Sequence, residues 1–144
     1  GEMKKATGAT ICLHQNDLGL WNNLELQCRM FGVTYSPVPL PDYWLKDEEK
    51  LSVGRVSVTA LHTPGHTPGS MSFHVPGDNL VLAGDTLFRG SIGRTDLWGG
   101  DFDAIERSIR ERLYTLEDAT IVVTGHGPET EIGQEKETNQ FFRA

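Results

Sequence analysis

The side chains able to do chemistry in this sequence gather in three glycine-flanked places: His62-Thr63-Pro64-Gly65-His66-Thr67-Pro68-Gly69-Ser70, Gly84-Asp85-Thr86 and Gly125-His126-Gly127-Pro128. Imidazole nitrogens and a carboxylate suit zinc, manganese or iron, and without a thiolate among them a catalytic ion is favoured over a structural zinc. His62 and His66 stand four apart, which would put them on one face of a helix. Pro64, Gly65, Pro68 and Gly69 exclude that helix, so the segment reads as a tight loop holding imidazoles at fixed places. Each residue alone has an ordinary use, His66 as a hydrogen-bonded loop histidine and Asp85 as a cap. Their shared position at strand ends favours the metal reading of His66, Asp85 and His126.

The elements that must position them follow from the apolar pattern. Val56 to Leu61 alternates as a strand does, and Met71, Phe73 and Val75 alternate again after the loop. Pro76-Gly77-Asp78-Asn79 makes a turn. Leu80 to Ala83 reads as a fully buried strand delivering Asp85, and Thr120 to Thr124 as another delivering His126. Leu87 to Gly100 is glycine-rich and reads as a substrate loop, with Arg94 the stronger and Arg89 the weaker candidate for an anionic substrate group. Asp103 with Glu106 is expected to cap a helix burying Ile105, Ile109 and Leu113, with Glu106 and Arg110 paired one turn apart. A last helix is expected over 135–142. His62 is read as a partner that orients the ligand loop, and His74 and His14 as structural.

The N-terminal third is simpler. Glu2 to Thr7 reads as the end of a helix stopped by Gly8, and Ala9 to Leu13 as a strand. Leu18, Trp21, Leu24, Cys28 and Phe31 form the stripe of one helix, capped by Asn16 or Asp17 and laid on a sheet. Pro37, Pro39 and Pro41 mark an ordered crossing loop, and Asp47-Glu48-Glu49 a solvated turn.

Composition bounds the function. The chain has 144 residues, 38% of them hydrophobic, and a net charge of -7, which predicts a single soluble domain and argues against a nucleic-acid partner. No apolar run approaches a membrane span, so a cytoplasmic protein is expected. Cys12 and Cys28 are read as buried thiols in a reducing compartment.

Taken together, residues 62–70, Gly84-Asp85-Thr86-Leu87-Phe88, Gly90-Ser91-Ile92-Gly93-Arg94-Thr95-Asp96 and Gly125-His126-Gly127-Pro128 resemble the metallo-β-lactamase superfamily, specifically its type II glyoxalase-like hydrolases. The resemblance extends to Arg29-Met30-Phe31-Gly32 and Gly133-Gln134-Glu135-Lys136. It implies an α/β (α+β) fold, the αββα sandwich, and a binuclear zinc centre, with iron or manganese as alternatives. His66 corresponds to a ligand of one ion, His126 to a ligand of the other, and Asp85 to the bridging and catalytic carboxylate. Arg94 matches the basic position beside a thioester substrate such as a glutathione conjugate. The implied reaction is attack by a metal-bound hydroxide on a thioester carbonyl.

The family's His-x-His-x-Asp-His motif is absent from these residues, as is the helical glutathione-binding domain of longer glyoxalases. The chain is therefore expected to be an incomplete sandwich, the C-terminal portion of an enzyme. In that state it would be inactive, with a partial or empty metal site, and completed by an N-terminal fragment or a second copy of itself. Two other readings stay open: a mononuclear iron persulfide dioxygenase, which Gly93-Arg94-Thr95-Asp96 also resembles, and a non-catalytic assembly protein keeping part of an enzyme fold.

Overall fold

The structure is a computed structural model describing residues 1–144. It divides into two compact units, Gly1–Leu45 and Lys46–Ala144.

In the first unit, α1 (Glu2–Thr7) ends where Gly8 turns to φ 70° and donates its N–H to Lys4 O, the stop expected from the sequence. Strand β1 (Cys12–His14) pairs in parallel with β2 (Tyr43–Leu45). The expected single helix is two, α2 (Leu18–Asn22) and α3 (Leu24–Met30), separated by Asn23, whose side chain donates back to Gly19 O at 2.8 Å. Asp17 holds the N-cap position of α2 without a side-chain cap hydrogen bond, and the side-chain cap instead belongs to the preceding 3-10 turn, Gln15–Asp17, where the His14 ring accepts from Asn16 N. Neither helix buries a residue, and Phe31 is 60% exposed. Cys12 is exposed and Cys28 half-buried, correcting the expectation of buried thiols. Two three-residue strands are too small a sheet to cover a helix face.

The second unit is built on β3 (Lys50–Val53), β4 (Val56–His62), β5 (Met71–Val75), β6 (Leu80–Gly84), β9 (Ile121–Thr124) and β10 (Thr130–Glu131), in the order β10-β9-β6-β5-β4-β3. All neighbours are antiparallel except β6 and β9, which are parallel. Parallel neighbours need a long crossover. Here it contains the hairpin β7 (Leu87–Phe88) and β8 (Ser91–Ile92), then α4 (Phe102–Ser108) running into a π-helical turn, Ile109–Leu113. Helix α5 (Ile132–Thr138) follows β10, ending short of the expected residue 142.

Helix α4 is capped by Asp101, which accepts from Ala104 N at 2.8 Å, two residues before the expected Asp103. The i,i+4 pair of Arg110 with Glu106 forms at 2.8 Å. Ile105, Ile109 and Leu113 are fully buried against Val81, Ala83 and Val122 of the sheet, with Ile132 and Phe142 completing the core. Strands β6 and β9 are buried on this face only. Leu82 and Ile121, on the other, are 42% and 40% exposed, which corrects the fully buried strands expected from their apolar runs.

The acidic turn at 47–49 is more than solvated. Arg112 donates to Asp47 at 2.7 Å and to Glu48 at 3.2 Å, and Asp47 also accepts from His62 N at 2.8 Å, tying the end of β4 to the helical crossover.

Candidate metal centre

Strand β4 hands over to the loop at Thr63, and three fully buried hydroxyls set where that loop starts. Thr63 Oγ1 shares hydrogen bonds with Ser72 Oγ at 2.9 Å and Thr86 Oγ1 at 3.3 Å, so the loop of His66 is tied directly to the turn after Asp85. Ser108 donates to Pro64 O at 2.7 Å, adding an anchor from α4. His62 lies outside the cleft lining, and its Nε2 meets Pro68 O at 2.9 Å, bracing the loop internally. It supports the loop and does not contact the ligand candidates through that atom.

Asp85 sits in a slot that only glycine neighbours allow. A Cβ on Gly125 would fall on Asp85 Oδ1, and one on Gly93 would fall on the Asp85 main-chain carbonyl. Gly125 N donates to Gly84 O at 2.7 Å, which sets the end of β9 beside the end of β6. Two imidazoles then flank one carboxylate oxygen: His66 Nε2 lies 3.6 Å and His126 Nε2 3.8 Å from Asp85 Oδ2. Both separations exceed a good hydrogen bond.

Each imidazole has an orienting contact from the β7–β8 segment. His66 Nδ1 lies 2.9 Å from Arg94 O, and a carbonyl can only accept, so Nδ1 carries a proton and Nε2 is the nitrogen turned toward Asp85. A second partner of this kind is how metal-ligating histidines are held. The His126 side chain is 76% exposed, and the Phe88 ring lies against it with centroids 4.6 Å apart.

Five of the six candidate residues, His66, Asp85, Arg89, Arg94 and His126, line one cleft of about 440 Å³ together with Phe88, and His62 does not. Arg94 does not offer its guanidinium freely, because Asp96 binds it through two 2.8 Å hydrogen bonds. The donors fit a metal ion chemically: two neutral-competent imidazoles and a carboxylate, one ring fixed in the ligating tautomer. They do not close into a three-donor cage, and no group of three His, Cys, Asp or Glu in the chain does. Phe88, the main-chain carbonyl of Arg94 and the buried hydroxyls were not singled out from sequence. Only the buried hydroxyls carry a sequence signal, two threonines and a serine beside the ligand positions.

The family model described as "Metallo-beta-lactamase superfamily" matches residues 1–126. "Probable metallo-hydrolase YqgX" of Bacillus subtilis (strain 168) is 38% identical over 145 residues, covering 98% of this chain and 67% of that protein. "Hydroxyacylglutathione hydrolase GloC" of Haemophilus influenzae is 39% identical over 132 residues, covering 91% of this chain and 62% of that protein. The chain thus spans about two thirds of the length of these relatives. The crystal structure of TTHA1623 in a di-iron-bound form superposes with a TM-score of 0.89 at 38% identity, over 98% of this chain and 69% of that one. With a family model matched over residues 1–126 and a relative 38% identical along nearly the whole chain, this chain belongs to the metallo-beta-lactamase superfamily.

Proposed function

We propose that this protein is a metal-dependent hydrolase of acyl thioesters, with a glutathione conjugate as substrate. The observation that carries the reading is the approach of His66 and His126 to a single oxygen of Asp85 from opposite loops. The likeness to a hydroxyacylglutathione hydrolase supports the substrate class.

His66 and His126 would hold the ion through Nε2 and Asp85 through its carboxylate. A bound ion of this kind supplies Lewis acidity to a carbonyl and lowers the pKa of a bound water. The chain's own residues do the rest. Arg94 O keeps the His66 proton on Nδ1, Phe88 restrains His126, and the glycine slot holds Asp85 between them. Arg89, exposed at the rim of the same cleft, is the group proposed to meet an anionic part of the substrate. A two-ion centre needs more donors than these three, and we assign the remainder to groups outside residues 1–144.

The test is thiol release from a hydroxyacylglutathione by the full-length protein loaded in turn with zinc, manganese and iron, beside Asp85→Asn. Turnover that falls at least about 100-fold in the variant is expected, since an electrostatic group at the reacting centre is worth that much. No thiol release from any loaded form overturns the reading. Oxygen consumption on a persulfide by the iron form alone would replace it with the dioxygenase.

A further inference from the structure

We propose that Glu135, on α5 and outside the cleft, is a positioning residue that sets the orientation of both His66 and His126 by holding the β7–β8 hairpin. The meaning of this for activity rests on reading those histidines as the reactive centre, but the geometry stands without it.

Glu135 is fully buried, and its carboxylate is met by three neutral donors. Oε2 accepts from Gly90 N and from Asn139 Nδ2, both at 2.8 Å, and Oε1 accepts from Thr130 Oγ1 at 2.6 Å. A buried carboxylate without a cation is costly unless its oxygens are satisfied, so these contacts are strongly specified. Gly90 is the turn of the β7–β8 hairpin. The residue after it is held too, because Asn139 Nδ2 also donates to Ser91 O at 3.1 Å, and Asn139 is itself fully buried. The carboxylate and the amide therefore grip the turn from beneath at two successive residues.

Strand β7 and the residues just past β8 are what orient the two imidazoles. Phe88, two residues before Gly90, packs on His126, and the main-chain oxygen of Arg94, four residues after it, accepts the hydrogen bond from His66 Nδ1. Both histidines come from other elements, the loop after β4 and the end of β9. The hairpin is what they have in common, and Glu135 is its buried anchor. Nothing in the cleft itself needs a carboxylate at this place.

The three donors give the experiment its discrimination. Gln at 135 can still accept from Gly90 N and Asn139 with its oxygen while its amide donates to the Thr130 hydroxyl, which then acts as acceptor. Asp keeps the charge but is one methylene too short to reach Gly90 N. The readout is the long-range proton–nitrogen spectrum of the imidazoles at about pH 8, above the ordinary histidine range, on Glu135→Gln, Glu135→Asp and Glu135→Ala. His74 on β5 serves as an internal control, and circular dichroism reports the fold. In Glu135→Asp and Glu135→Ala, the His66 nitrogens are expected to leave the pure Nδ1–H pattern, and the His126 ring protons to lose the upfield shift caused by Phe88. His74 should stay put, and Glu135→Gln should match the wild type at all three. Unchanged His66 and His126 signals in Glu135→Asp, or a Glu135→Gln that behaves like Glu135→Asp, overturns the proposal. If Glu135→Ala does not fold, the Asp and Gln pair decides alone. None of these signals depends on thioester turnover, so failure here is separable from failure of the proposed function.

Discussion

Asp96 grips the guanidinium of Arg94 with two hydrogen bonds, Nε to Oδ1 and Nη2 to Oδ2, both 2.8 Å long. This pairing divides the work of Arg94 in an unexpected way. Its charge is answered by Asp96, while its main-chain oxygen serves His66. Arg94 in turn holds the Asp96 carboxyl at about 2, first through these hydrogen bonds. A depressed carboxylate pKa keeps the pair intact at every pH above the ordinary aspartate range, and it is lost only as pH falls through about 2.

The substrate-binding roles of the two arginines should therefore separate. Arg89 lines the cleft and makes no ion pair, so Arg89→Ala is expected to raise KM for an anionic thioester about tenfold, the loss of one charged hydrogen bond. Arg94→Ala should change KM by less than about threefold, since the main-chain acceptor survives and the side chain is already paired. Steady-state kinetics on both variants checks this, and equal KM effects would return the anion-binding role to Arg94.

Gly125→Ala should damage the centre without touching a ligand. The new Cβ falls on Asp85 Oδ1, so the carboxylate must leave its slot. Overpacking of this kind costs about 1–3 kcal/mol, and urea denaturation should register it. Metal titration of the same variant should show weaker binding than wild type. An alanine variant with unchanged stability and metal affinity would mean that Asp85 has room to move.

Much of this arrangement is legible in the sequence because each ligand position is punctuated. His66, Asp85 and His126 each lie in the turn that follows a strand, beside glycine, and local turn chemistry is a short-range signal. The buried face of α4 is legible for a similar reason, since Ile105, Ile109 and Leu113 repeat with helical spacing. What does not show is whatever depends on distant partners. The apolar run of 80–83 reads as fully buried, yet Leu82 faces away from the helices. Asp101, not Asp103, caps α4, because which of two nearby aspartates caps depends on where the chain leaves extended geometry. In the sequence Glu135 stands only as the start of the expected final helix and within Gly133-Gln134-Glu135-Lys136. Its burial follows from a hairpin 45 residues earlier, and no local pattern encodes that.

His74 should make stability sensitive to mild acid. Burial pushes its pKa below the ordinary 6.5, with Glu117 opposing more weakly. The unfolded chain then binds the proton first, so stability is complete above the unfolded value and declines as pH falls from 6.5 toward the folded value. Urea midpoints for wild type should drop between about pH 7.5 and about pH 5.5, and His74→Gln should flatten that part of the slope. A variant with the wild-type slope would assign the acid sensitivity elsewhere.

At the alkaline end the controlling group should be Tyr114. Its hydroxyl donates to Phe142 O at 2.8 Å, in the core that closes the chain over α4. Burial first, and the nearby Glu135 charge second, push the phenol up to about 12 from an ordinary 10.0. Here the folded state holds its proton longer than the unfolded chain does. The stabilisation is therefore whole below pH 10 and is lost progressively as pH rises toward 12. Tyr114→Phe removes the titrating group together with one hydrogen bond, so it should be about 1 kcal/mol less stable at neutral pH. Above pH 10 its stability should fall less steeply than that of wild type. Thermal unfolding of the two proteins at pH 8 and about pH 11 gives the comparison. Parallel losses in both would show that the phenol is not the group that titrates.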